Sequence, residues 1–232
     1  MRSLAAAAWP DLPESALLLV PLGAVEQHGP HLPLLTDTAV AGAVADAAVD
    51  RIESALLAPA LAYGASGEHE GFPGTVSLGT EALTGLLVEY GRSACRWAGR
   101  VLLVNGNGGN LDALRAAGAL LRTEGRDVAW WPCGVPGGDA HAGRTETSLM
   151  LHVEPEWVLR SRAVAGDTTP IAELLPRLRA EGVRPVSPSG VLGDPAGASA
   201  EEGAELLAGL TDRLVTAAGA WHVDASTGRL RD

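Results

Sequence analysis

Short apolar runs alternate with longer amphipathic stretches along most of the chain. Leu17-Leu18-Leu19-Val20, within Leu17 to Gly23, has the unbroken apolar character of a strand covered on both faces. Thr38 to Ile52, rich in Ala and Val, reads as a helix, and Ser54 to Leu61 as a second strand with Pro59 near its end. Thr75 to Leu78 predicts a short strand, and Thr80 to Ala98 carries Leu83, Leu86, Leu87 and Tyr90 at helical spacing. Val101 to Val104 is another buried-strand run, Leu111 to Glu124 a helix and Val128 to Trp131 a strand. A helical run begins at Thr145, and Ser199 to Trp221 reads as a helix whose Ser199 and Glu202 are spaced for a capping box. This order predicts one domain over residues 1–232, a three-layer α/β/α sandwich with a mainly parallel sheet. Ligands of such sheets collect at the carboxyl ends of the strands.

Two loops at those ends carry reactive side chains. In LGAVEQHGPHLPLLTD, Leu22 to Asp37, Glu26 and His28 lie two apart and share one side of an extended backbone. Asp37 precedes the helix, where a carboxylate caps the first turn or faces a ligand. Two carboxylates and an imidazole make a candidate divalent-metal half-site; a solvated loop ending in a helix cap would have the same composition. After Val104 comes Asn105-Gly106-Asn107-Gly108-Gly109-Asn110 at the start of a helix, a place that suits anions. The dinucleotide fingerprint fails there, because its third glycine would fall on Leu111, and no Gly-Lys-Ser/Thr ending follows.

Further on, Asp139 and His141 sit in a glycine-bracketed loop and Glu146 heads a helix, where a carboxylate also simply complements the dipole. Tyr63 to Gly74, YGASGEHEGFPG, places His69 between two acids in a loop that reads as lying near a ligand.

Composition narrows the classes. A chain of 232 residues, 47% hydrophobic, can bury one sizeable core. A net charge of −11 with no basic cluster argues against nucleic acid or an anionic membrane as partner. Cys95 and Cys133 form no CxxC pair and read as reduced thiols of a cytoplasmic protein. Pro10, Asp11, Pro13 and Glu14 interrupt the first apolar stretch before it reaches signal-peptide length, and no later run approaches a membrane span. Trp130, Trp131 and Trp157 are candidates for core or for an interface.

The string PLGAVEQHGPHLPLLTD resembles a signature of the creatininase family, metal-dependent amidohydrolases that open C–N bonds. DAHAGRTETS resembles a second signature in the same order, and EHEGFPGT and GVLGDP are weaker matches. The resemblance runs from about Pro21 to Leu151. The strings APALAYGASGEHEGFPGTVSLGTEALTGLLVEYGRSA and CGVPGGDAHAGRTETS are most similar to the mycofactocin-system branch of creatininase-like peptidases.

That resemblance implies two divalent cations, Fe2+, Zn2+ or Mn2+, with Asp37 bridging them, Glu26 and residue 107 holding one, and His28 and Glu146 the other. It implies that His141 protonates the departing amine, that the chain forms a homo-oligomer, and that the GVLGDP loop lies near the active site or an interface. The substrate implied is a short modified precursor peptide, cut just before a cross-linked, decarboxylated Val-Tyr end. The family pattern NGHGGN has a metal-binding histidine where this chain has Asn107. Three consequences stay open: weak ligation through the amide oxygen, completion of the shell by a neighbour such as His69, or a depleted site. The function is correspondingly a peptidase, a hydrolase of a small cyclic or formyl amide, or a weakly active peptide-binding protein.

Overall fold

The computed structural model describes residues 2–232. Four parallel strands, β1 (Leu17–Leu22), β2 (Ala55–Leu57), β3 (Arg100–Asn105) and β4 (Val128–Pro132), pair in the order β2-β1-β3-β4. The helices are α1 (Thr36–Val49), α2 (Gly79–Ala94), α3 (Leu111–Thr123), α4 (Arg144–Val153), α5 (Ile171–Glu181), α6 (Val183–Val186) and α7 (Ala200–Ala220).

Side chains alternate across a strand, so each apolar run feeds two layers at once. Leu17, Leu19, Leu102, Val104, Ala129 and Trp131 meet α1, α4 and α7 on one face. Leu18, Val20, Val101, Leu103, Val128 and Trp130 meet α2 and α3 on the other. This is the expected three-layer α/β/α architecture. Trp130 and Trp131 are therefore core, on opposite faces of one strand, while Trp157 is 45% exposed. Close approach of α4 and α7 depends on Gly203, where a Cβ would overlap the Ser148 carbonyl oxygen.

β1 lies between β2 and β3, so the chain order reverses between β1 and β3, whose ends Leu22 and Asn105 are register partners. The loops after both strands open into that switch point, the usual ligand crevice of such sheets.

Some expected elements differ. The strand predicted over Ser54 to Leu61 contracts to Ala55–Leu57, with one further bridge from Leu61 to Leu22, because Pro59 supplies no N–H for a ladder. Thr75 to Leu78 is not a sheet strand: Val76 makes one antiparallel bridge to Val25. The helix predicted at Thr38 starts at Thr36, which places Asp37 inside its first turn. α5 lies where the sequence pattern gives no helix; Pro176 is within it, a residue that argues against a helix interior when read by propensity alone. Ser199 Oγ does accept from the Glu202 N–H, but Glu202 spends its carboxylate on Arg144 and Ser148, so the reciprocal half of a capping box is not made. No helix among the described residues is long and apolar enough to cross a membrane.

Candidate metal centre

The loop after β1 turns sharply at Gly29, which has φ +64°, and carries Glu26, Gln27 and His28 inward; all three are buried. The first turn of α1 brings Asp37 to them, so that His28 Nε2 lies 3.0 Å from Asp37 Oδ1. His28 Nδ1 is 3.1 Å from the Glu26 carbonyl oxygen, which fixes Nδ1 as the protonated nitrogen and leaves Nε2 to the site. Glu146 enters from the first turn of α4, with Oε2 3.8 Å from His28 Nε2. Ala142, held at φ +52°, aims its N–H at Glu146 Oε2, 2.6 Å away. Asp139 accepts from the backbone N–H groups of Arg144 and Thr145 and so caps α4; its role is to seat the helix that bears Glu146.

His141 stacks against both His28 and His69, with ring centroids 4.2 and 4.5 Å away. Its Nδ1 is 3.8 Å from Glu26 Oε1, and His69 Nε2 is 3.3 Å from the same oxygen. Donor atoms of Glu26, His28 and Asp37 lie within 4.8 Å of one another, as do those of His28, His141 and Glu146, and of Glu26, His69 and His141. The predicted residues Glu26, His28, Asp37, His141 and Glu146 thus come together.

Asn107 also reaches the site. Its Nδ2 donates to Glu26 Oε2 at 3.1 Å, with the Ala65 carbonyl and Ser66 Oγ as further acceptors, while its Oδ1 accepts from the Gly109 N–H at 2.8 Å. Its amide nitrogen, not its oxygen, faces Glu26.

The residues fit a cation on electrostatic grounds. Three carboxylates, Glu26, Asp37 and Glu146, converge, the first two buried and Glu146 partly exposed, and Asp37 Oδ2 is buried without a hydrogen-bond partner. Burial, with Asp37 beside it, pushes the Glu26 carboxyl well above its usual range. Burial and Asp37 likewise raise Glu146 to about 7, against the opposing charge of His28. Burial alone would depress His28, yet Asp37, Glu146 and Glu26 together lift it to about 10. A divalent cation removes the conflict by replacing the protons these acids would otherwise retain. His69 is pushed down to about 3, and His141 well below the ordinary imidazole range, by burial and then by His28. Cys133, beside the site, is raised to about 12 by burial and then by Asp37, so it offers no thiolate.

A groove of about 1100 Å³ leads away from Glu26, His69 and His141. Its outer wall is α5, which contributes the half-exposed Ile171 and Leu175. Three features have little trace in the sequence. Gln27, 5% exposed, bonds at once to His69 through its side-chain amide and to His141 through its backbone carbonyl; its only signal is its place between Glu26 and His28. His31 is buried against Thr147, and α5 forms the groove wall. The GVLGDP loop does reach the site, since the Gly190 carbonyl accepts from Gln27 Nε2 and Leu192 bridges His141.

Comparison with known proteins identifies the family. The Creatininase family profile, described as creatinine amidohydrolase, matches residues 5–218. The chain is 58% identical over 207 residues to a mycofactocin precursor peptide peptidase of Mycolicibacterium smegmatis, covering 85% of this chain and 84% of that one. It is similar to a solved structure described as "Creatininase Mn", with TM-score 0.76, 27% identity and coverage of 95% of this chain and 98% of that one. A second solved structure, a point mutant of creatininase described as "Zn-Zn type", gives TM-score 0.75, 27% identity and coverage of 94% and 97%.

Proposed function

Because the chain belongs to the creatininase family, we propose that this hydrolase is a metal-dependent peptidase that cuts a modified precursor peptide just before its cross-linked C-terminal Val-Tyr unit. The observation that carries the reading is the convergence of three carboxylates and three imidazoles at the head of a groove large enough for a peptide. The peptide substrate follows from the peptidase relative; a small cyclic amide would leave most of the groove empty.

Glu26, His28, Asp37 and Glu146 are the residues that would hold the two cations. Manganese or zinc is supported by the names of the related structures, and iron(II) suits the same donors. Bound there, the cations supply Lewis-acid polarisation of the scissile carbonyl and acidify water. His141 takes a proton at Nδ1 from the attacking water and returns it to the departing amine nitrogen as the C–N bond breaks. Glu146, seated by Asp139 and Ala142, keeps its carboxylate turned toward His28. Asn107 holds Glu26 through Nδ2 and is itself no ligand. α5 lines the path of the peptide upstream of the scissile bond, with Ile171 and Leu175 taking apolar side chains. Residues 1–232 act as one domain, in a cytoplasmic homo-oligomer.

The test is incubation of the protein with the cross-linked precursor peptide and zinc, manganese or iron(II), followed by mass spectrometry. Release of the modified dipeptide is expected. Absence of product with every metal, beside intact binding of the peptide without metal, would favour a binding protein.

A further inference from the structure

One side chain decides what two of the histidines can do. The Gln27 carboxamide touches two backbone groups of fixed polarity: Oε1 accepts from the Gly29 N–H at 2.9 Å, and Nε2 donates to the Gly190 carbonyl at 3.1 Å. Turning the amide over would set donor against donor at Gly29 and acceptor against acceptor at Gly190, so its orientation is determined. The NH2 group then lies 2.8 Å from His69 Nδ1. A nitrogen that faces a donor must present its lone pair, which puts the His69 proton on Nε2. Nε2 is the atom 3.3 Å from Glu26 Oε1, at the head of the groove.

His141 is oriented the other way. Its Nε2 lies 2.8 Å from the Gln27 carbonyl oxygen and must donate to it, which leaves Nδ1, 3.8 Å from Glu26 Oε1, with the lone pair. With one Gln27 amide hydrogen on Gly190 and one on His69, the 3.0 Å approach of Nε2 to His141 needs no bond. Both rings are Nε2–H tautomers, yet they show the site opposite polarity: His141 an acceptor, His69 a donor.

We infer that Gln27 is a positioning residue that fixes these tautomers, and that His69 is a catalytic hydrogen-bond donor to the substrate carbonyl rather than a replacement ligand for the histidine missing at position 107. A ligand would have to offer a lone pair from Nε2, which the Gln27 amide forbids. A preorganised neutral N–H beside the scissile carbonyl instead stabilises the charge that develops on its oxygen. The role of His69 rests on the hydrolase reading above; the tautomers do not.

The experiment uses the metal-loaded protein labelled with 15N-histidine, with the His69 signals identified by their loss in His69→Gln. Expected is a neutral His69 ring protonated at Nε2, switching to Nδ1–H in Gln27→Glu, where a carboxylate replaces the donor. A wild-type His69 protonated at Nδ1, or an Nε2 shifted by the metal, would overturn the inference without any reference to turnover. With the modified peptide as substrate, His69→Leu is expected to lower kcat by ~100- to 1,000-fold, with KM and metal per chain little changed. Loss of a metal equivalent in that variant, or an unchanged kcat beside an active wild type, would also refute it. An inactive wild type with the expected spectrum would refute the peptidase reading and leave the tautomer assignment standing.

Discussion

Asn107 Nδ2 lies 3.1 Å from Glu26 Oε2, at the point where the sequence suggested a ligand. From the loop after β3 the amide nitrogen supports that carboxylate, while the amide oxygen accepts from the Gly109 N–H. Asn107→Leu removes that support. Metal affinity is expected to fall by ~10- to 100-fold, the usual effect of losing an outer partner of a ligand. Isothermal titration of chelator-treated protein with zinc checks this, and unchanged affinity would deny Asn107 the role.

Asp37→Asn should act more severely. It removes the charge of the carboxylate that the family resemblance sets between two cations, beside His28 at 3.0 Å. Elemental analysis should find less than half the wild-type metal per chain, and peptide turnover should drop beyond the ~100-fold typical of outer-partner changes. Full metal content in the variant would exclude a bridging role.

Asp139→Ala leaves two N–H groups at the start of α4 without their acceptor. Losing such a cap costs ~1–2 kcal/mol. Thermal unfolding of the metal-free protein should move down by several degrees, while the metal still binds. A larger loss of metal than of stability would mean that Asp139 belongs to the site itself.

The metal-free protein should lose stability as pH rises from about 6.5 to about 10. His28 has a folded-state value raised to about 10, so its contribution is complete below its ordinary value of 6.5 and fades as it deprotonates. Glu146, raised to about 7, adds to the fall at the lower end of this window, because its proton is held more tightly in the folded state. Below 6.5 the depressed His69 and His141 favour folding as pH rises and oppose the two raised carboxyls. Melting temperatures of chelator-treated protein measured across pH 6.5 to 10 decide the point; a rise over that window would contradict it.

The sequence alone determined the layered fold and marked most of the residues that meet at the candidate site. Unbroken apolar runs such as Leu17 to Val20 suit only strands covered on both faces, and the spacing of Glu26, His28 and Asp37 around one strand end is a local property of the chain. What the tertiary structure decided is how distant loops meet. Gln27 gains its importance from Gly190, His69 and His141, none of them near it in sequence, and Asn107 takes its orientation from Glu26, Ala65 and Gly109. Hydrogen-bond polarity is a property of pairs, and no periodicity or motif records which partner a side chain will face once the loops have closed.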